Sequence, residues 1–292
     1  PSAVAKKGET IPLTVTVRDS AGNPMPYAEF TLTRETTLDR SKATVNTSAD
    51  DLTVTALVPA NTNSVLAASG AKLIGTTGSD GKATFEVSQN ATTGLATPLT
   101  VTLARDTTKA ATLDVIYTVI TSPDSPSAKF WGHMPDTFTS STGVTFKRPL
   151  LKAETSSGSS ISSNGEVWSY MSNAQNLTST DCPLENQPRS NELLDLYRDH
   201  PNGTLMTDLG LPVYAGNWWA YDMVMLSGTS WTYQLISLKD GTITQKGTTS
   251  ALMLCLAQPH PAGVSVTLTS SAQDDARTTS NGGRPSASAK KG

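Results

Sequence analysis

Two cysteines, three histidines and one dense aromatic run are the residues of this 292-residue chain whose types could do chemistry. Structural zinc takes four Cys or His ligands at short spacings, so Cys182 and Cys255 cannot build such a site alone. His133, His200 and His260 are far apart in sequence, and none sits near a cysteine or a candidate acid at helical spacing. The chain has no G-x-S-x-G elbow, no H-E-x-x-H, no P-loop and no G-x-G-x-x-G, the patterns that carry hydrolase, zinc-protease and nucleotide chemistry. Asp80-Gly-Lys82 lacks the alternating carboxylates of a calcium loop and reads as a turn. Asp195 and Asp199 share a helix face at i, i+4, where they are either an acid pair or, far more commonly, two solvated helix acids. Asn46, Asn90, Asn176 and Asn202 each open an N-x-[ST] triplet, as a chain this rich in Ser and Thr produces without meaning. No catalytic residue, metal or cofactor is expected, and the chain is not expected to be an enzyme.

Val213-Tyr-Ala-Gly-Asn-Trp-Trp-Ala-Tyr-Asp222 holds four large aromatics. One reading is core, because Trp rings bury much apolar area. The other is a binding surface, because Tyr and Trp are favoured hot-spot residues at interfaces. Alternation puts Trp218 and Ala220 on one face and Trp219 and Tyr221 on the other, so one Trp is expected buried and the other at least partly available. Tyr214, Asn217, Trp218 and Trp219 are therefore the candidate ligand contacts, beside the polar loop from Cys182 to Arg189.

The elements that would position them can be read from composition and period. Only 16% of residues are charged and the net charge is -3, while Ser and Thr make up about a quarter of an average-sized two-domain chain. Without a basic cluster there is no phosphate-neutralising surface, so nucleic acid is excluded as a partner. No apolar run approaches the roughly 18 residues of a membrane span, so no membrane insertion by this segment is expected. Pro1 does not begin a signal peptide and reads as a cut within a longer protein.

Period-2 alternation marks strands at Ile11–Val17, Tyr27–Thr33, Ala83–Val87, Leu99–Leu103 and Leu113–Val119, with turns at Asp19–Pro24 and Ser79–Lys82. These predict an antiparallel β-sandwich. Thr121-Ser-Pro-Asp-Ser-Pro-Ser127 reads as a Pro-rich hinge, beyond which lie all five tryptophans and both cysteines. Ser190–Asp199 is the one good helix candidate. It has Ser190 or Asn191 as N-cap, Leu193, Leu194, Leu196 and Tyr197 as its stripe, and Pro201-Asn-Gly203 as its stop. With strands at Glu166–Met171, Trp219–Leu226, Tyr233–Leu238 and Leu252–Ala257, the second half reads as α+β. Cys182 and Cys255 are then either two buried thiols or one disulfide, and the Ser/Thr-rich, Lys-poor composition of secreted β proteins favours the bond.

Pro1-Ser-Ala-Val-Ala-Lys-Lys-Gly8 returns as Pro285-Ser-Ala-Ser-Ala-Lys-Lys-Gly292, agreeing at seven of eight positions. This predicts one period of a tandem array cut in phase. The alternating stretch Val264-Ser-Val-Thr-Leu-Thr-Ser270 would be the first strand of the next unit, leaving this unit's own sandwich without its opening strand. An edge left open in this way invites a strand from elsewhere.

Ile11-Pro-Leu-Thr-Val-Thr-Val-Arg-Asp-Ser-Ala-Gly-Asn-Pro24 with Gly81-Lys-Ala-Thr-Phe-Glu-Val87 resembles the bacterial Ig-like domains of intimin- and invasin-type adhesins. The second half is similar to the C-type-lectin-like domain that caps them, through Cys182-Pro, the Leu193–Tyr197 helix, Gly210-Leu-Pro-Val213, Trp218-Trp219 and Leu252-Met-Leu-Cys-Leu256. Thr121-Ser-Pro-Asp-Ser-Pro126 and Phe130-Trp-Gly-His-Met134 most resemble repeat units of large enterobacterial surface adhesins.

The resemblance implies a mainly β fold: an Ig-like β-sandwich over 1–122, an α+β C-type-lectin-like domain over 123–259, and the start of the next repeat over 260–292. It also implies a Cys182–Cys255 disulfide. Sugar-binding C-type lectins hold calcium through E-P-N or Q-P-D plus W-N-D. Glu185-Asn-Gln-Pro188 and Asn217-Trp-Trp219 do not reproduce that order, so calcium-dependent sugar binding is not expected.

The function implied is that of an extracellular adhesin segment, displayed on the bacterial outer membrane by a region outside this chain. Its expected partners are a host-cell surface protein or glycan receptor and neighbouring repeat units. A purely structural stalk unit is the alternative. A carbohydrate-active enzyme is the third reading, and it lacks a pair of catalytic carboxylates in an aromatic cleft.

Overall fold

The structure, a computed structural model, describes residues 1–45, 52–58, 63–228, 230–245, 249–263 and 265–269. Residues 1–259 form one compact unit and residues 260–292 another. In the first unit the chain runs through β1 (Ser2–Lys6), β2 (Ile11–Thr16), β3 (Glu29–Arg34), β4 (Leu52–Val58), β5 (Asn63–Leu66), β6 (Lys72–Thr76), β7 (Lys82–Gln89), β8 (Leu95–Leu103) and β9 (Asp106–Pro123). One sheet is ordered β1-β9-β8-β3-β6 and the other β2-β7-β4-β5. Alternation explains the sandwich: β7 buries Ala83, Phe85 and Val87, and exposes or half-exposes the residues between. Phe30 of one sheet meets Phe85 of the other edge-on, with ring centroids 6.0 Å apart.

The turn at Asp19 forms as expected. The Asp19 carboxylate accepts the N–H groups of Ala21 and Asn23 at 2.9 and 2.8 Å, and Gly22 supplies the positive φ of 86°. Alternation marks no strand before Ile11. The structure forms one, β1, which lies parallel to β9 from Ser2↔Asp114 to Lys6↔Thr118. The sandwich is therefore not purely antiparallel.

Beyond β9 the chain builds β10 (Gly132–Met134), β11 (Thr137–Thr139), β12 (Thr145–Lys147), β13 (Ser159–Ser163), β14 (Glu166–Tyr170), α1 (Asn173–Leu177), α2 (Ser190–Asp199), α3 (Thr204–Leu209), β15 (Trp218–Ser227), β16 (Ser230–Ile236), β17 (Ile243–Gln245) and β18 (Cys255–Leu256). Small antiparallel sheets β11-β12-β18, β13-β14 and β15-β16-β17 close around Phe146, Trp168, Leu193, Leu196, Leu205 and Trp218. The expected class holds: mainly β, an Ig-like sandwich followed by an α+β lectin-like adhesion domain.

α2 has its expected bounds, but Arg189 stands at its N-cap rather than Ser190 or Asn191. The capping carboxylates are Glu192, which accepts the Arg189 N–H, and Asp222 of β15, which accepts both the N–H and the hydroxyl of Ser190. A cap brought from a distant strand leaves no local signal. α3 has no counterpart among the expected elements, because six residues are too few to display a helical stripe.

The segment Thr121–Ser127 is not a hinge. β9 runs without a break to Pro123, and β10 pairs parallel to its final residues, Gly132↔Val119 and Met134↔Pro123. The carboxylate of Glu166, 1% exposed, then fastens the crossing. It accepts the Ser122 hydroxyl at 2.8 Å and the N–H groups of Lys129 and Phe130 at 3.0 and 2.9 Å. A buried carboxylate is tolerated only when hydrogen-bonded in this way. Arg40 of the sandwich side adds an ion pair to Asp124 at 2.8 Å and covers the Trp131 ring at 4.6 Å.

Candidate functional site

Trp218 and Trp219 open β15, and each faces the direction that alternation assigns it. Availability differs from the expectation: they are 0% and 1% exposed, so neither is free to meet a ligand. Trp218 belongs to the main core. Trp219 lies in a second cluster with Tyr233, Leu235 and Ala251, against which Leu177 and Tyr221 also pack. Its indole N–H donates to the Met171 carbonyl at 2.8 Å. The start of the strand is covered on both faces, because α1 and the chain around Ala251 close over the Trp219 side. Asn217 is half-buried, and its carbonyl accepts the Leu252 N–H at 2.9 Å.

Tyr214 does reach the surface, at 57% exposed. It follows α3, and the Lys239 ammonium lies 5.6 Å from its ring centroid. Gly203, with φ of +81°, makes room for it, since a Cβ there would collide with the Tyr214 hydroxyl.

The loop from Cys182 to Arg189 meets β15 at Tyr221 and Asp222. The Tyr221 N–H donates to the Pro188 carbonyl at 2.9 Å, and the Arg189 guanidinium stands 4.7 Å over the Tyr221 ring. Arg189 also lies 3.6 Å from Asp222. One apolar residue missed by sequence reasoning continues this surface: Met223, half-exposed on β15 and paired across to Tyr233. Burial, and then the neighbouring Tyr221, push the Tyr233 phenol up from its ordinary value. Its ring stands tilted against that of Tyr221, with centroids 6.4 Å apart.

Cys182 and Cys255 are bonded, with Cα atoms 5.6 Å apart. The bridge ties the loop after α1 to β18. The remaining sequence candidates have structural duties. Asp195 pairs with Arg198 at 2.6 Å. Asp199 accepts the Ser141 hydroxyl and N–H, which hold its carboxyl below the usual range. His200 meets Asp208 at 2.7 Å. Asn176 is fully buried against Gln187, so it is no glycan acceptor in the folded state. Asn46 lies outside the described residues, as do Val264, Ser270 and the repeated motif Pro285–Gly292.

A disulfide-bonded α+β domain, fixed to an Ig-like sandwich and carrying a polar-aromatic surface, defines an intimin/invasin-type adhesin. Residues 8–120 match the family model described as Bacterial Immunoglobulin-like 21, and residues 123–256 match the one described as Adhesion domain. The chain belongs to this adhesin family. The solved structure of the Yersinia pseudotuberculosis adhesin InvE is similar at a TM-score of 0.69 and 24% identity, covering 87% of this chain and 67% of that one. A family 123 glycoside hydrolase from Clostridium perfringens aligns at 13% identity over 40% of this chain and 22% of that one, with a TM-score of 0.24 that carries no inference. Comparison with curated proteins gives no match. Family and fold both point to a non-enzymatic protein.

Proposed function

We propose that this chain is an extracellular segment of a bacterial surface protein that binds a receptor on host cells or other bacteria without calcium. In this reading residues 1–122 are the sandwich that holds the binding domain, residues 123–259 bind, and residues 260–292 begin the next unit of a repeated array. A region outside this chain would anchor it to the outer membrane. The observation that carries the reading is the match of residues 123–256 to an adhesion domain. Calcium independence is supported by the sequence around Glu185–Pro188 and Asn217–Trp219, where the sugar-lectin ligand order is missing. The contact surface we assign is Tyr221 with Arg189, Met223 and, separately, Tyr214 with Lys239. Trp218 and Trp219 act by holding β15 in place beneath it.

Staining of epithelial cells with fluorescent full-length chain tests this. Loss of staining after protease treatment of the cells identifies a protein receptor, and loss after glycosidase treatment a glycan. Staining no greater than that of an unrelated Ig-like protein refutes the reading.

The second reading, a stalk unit, is favoured by the burial of both tryptophans, which removes two hot-spot candidates from the surface. Under it, removing Tyr214 or Tyr221 leaves every surface interaction unchanged.

A further inference from the structure

We infer that the junction between the sandwich and the adhesion domain holds a binding cleft for a carboxylate-bearing monosaccharide, with Lys7 and His133 as the groups that meet the carboxylate. This cleft shares no residue with the Tyr221 surface, and it does not rest on the receptor-binding reading.

A cleft of about 310 Å³ opens where the two parts meet. Lys7 and Thr92 reach it from the sandwich, His133 and Thr207 from the adhesion domain, and Thr121 from the end of β9 between them. Junctions of this kind are a preferred place for small-ligand sites, and the volume stands at the lower end of their range. At ~30 Å³ for each water, filling it displaces roughly ten waters, the space of one sugar ring rather than of a chain of them.

The wall is selective in sign. Lys7 is its one permanently charged residue, and among the described residues no carboxylate pairs with that ammonium. The two acids beside the wall are already engaged. Glu9 accepts the Lys6 N–H at 3.0 Å, and Asp208, next to Thr207, lies 2.7 Å from His200 Nδ1.

His133 is held at Nδ1 by the Thr118 hydroxyl, 2.8 Å away. Its Nε2 is the ring nitrogen left for the cleft, and no described residue bonds to it. With the Thr118 hydroxyl donating to Nδ1, Nε2 carries the proton and is a donor. An ammonium and an imidazole N–H in one wall suit a single carboxylate, through charge-assisted hydrogen bonds. The Thr207 hydroxyl donates to the Thr204 carbonyl at 3.0 Å and so turns lone pairs outward. Those of Thr92 and Thr121 can donate or accept, which complements the hydroxyls of a sugar. Ile120 adds an aliphatic contact for the face of its ring.

The charges that bear on His133 are Lys6, which opposes its protonation, and Glu9, which favours it; Lys7 adds to the opposition across the cleft. A bound carboxylate acts against both lysines and draws the titration of His133 upward.

The test is proton NMR of the full chain, whose three histidines, His133, His200 and His260, give few ring signals. The signal lost in His133→Gln identifies His133. Glucuronate and N-acetylneuraminate are the probes. Glucose, without the carboxylate, and acetate, without the sugar, are the controls. One or both probes are expected to move the His133 signal saturably and raise its titration midpoint, with His200 unmoved. Glucose is expected to do nothing, and acetate to bind at least about tenfold more weakly. Lys7→Gln removes an exposed side chain and keeps the backbone bond from the Lys7 N–H to Thr118. It is expected to weaken probe binding about tenfold at an unchanged melting temperature. A His133 signal that neither probe moves would overturn the site. An equal response to acetate would overturn the sugar assignment, and an equal response to glucose, or an undiminished one in Lys7→Gln, the carboxylate assignment. Cell staining is read separately, so failure of either experiment leaves the other standing.

Discussion

The carbonyl of Trp131 occupies the place where a side chain on Gly94 would lie, and the Trp131 N–H donates to the Gly94 carbonyl at 3.0 Å. The same relation recurs twice nearby: a Cβ on Gly132 would fall on the Ser122 carbonyl, and one on Gly210 on the Ile120 carbonyl. Two of these backbone-to-backbone approaches hold the end of β9 against the adhesion domain, and the third holds Gly94 against Trp131. The orientation of the adhesion domain on the sandwich is fixed by this packing, with no free joint between them.

Gly132→Ala forces that packing apart. Overpacking of a tight site costs about 1–3 kcal/mol, and here the clashing atoms are backbone, which yields least. Calorimetry is expected to show a lower melting temperature and the separation of one transition into two. A single unshifted transition would mean that this backbone packing is not what couples the two parts.

The disulfide encloses a long loop, with its cysteines 73 residues apart. In the chain-entropy model a loop of that length contributes about 4 kcal/mol of stability. Cys182→Ala with Cys255→Ala is expected to lower the midpoint of chemical unfolding of the adhesion domain, read by Trp fluorescence, since every Trp lies beyond Phe130.

Two titrating groups make the molecule sensitive to acid. Burial opposes ionisation of Glu154, but hydrogen bonds from Arg148, Ser125 and the Leu151 N–H outweigh it and hold the carboxyl below its ordinary 4.5. A depressed carboxyl contributes stability above 4.5 that is lost as the pH falls through its folded value. Burial, and then Lys6, hold His133 below its ordinary 6.5, with Glu9 opposing. The folded state therefore keeps this imidazole neutral, hydrogen-bonded to the Thr118 hydroxyl at 2.8 Å. The unfolded chain takes up the proton first, so stability falls as the pH drops below 6.5. Melting temperatures between pH 7.5 and 5 are expected to decline, and His133→Gln is expected to flatten that part of the curve. An equal decline in the variant would show that His133 is not the group responsible.

Removal of surface side chains separates binding from stability. Tyr221→Ala and Arg189→Ala each strip one partner from a half-buried cation–π pair and are expected to weaken receptor binding about tenfold, the scale of a moderate hot spot. Trp219→Ala, by contrast, empties a fully buried site and is expected to destabilise the fold by about 3–5 kcal/mol. If Tyr221→Ala binds as the natural chain does, the contact surface lies elsewhere.

The sandwich is legible in sequence where strands alternate cleanly, as in β2, β7 and the second half of β9. β1 escapes because Ser2-Ala-Val-Ala-Lys6 has small side chains and no buried face of its own. The directions of Trp218 and Trp219 are legible from period alone. Their burial is not, because the cover over Trp219 comes from Leu177, Tyr233 and Ala251, which no local window contains. For the same reason Thr121–Ser127 looks like a hinge by composition, while Glu166, 44 residues from Ser122, turns it into a fastening.

In the proposed function, residues 123–259 carry a calcium-independent receptor site held by the sandwich. A binding isotherm of the purified chain on epithelial cells, run in calcium and again in excess EDTA, tests it most directly. Saturable binding with the same midpoint in both conditions is predicted, weakened about tenfold by Tyr221→Ala. No saturable binding in either condition, or binding that EDTA abolishes, would contradict it.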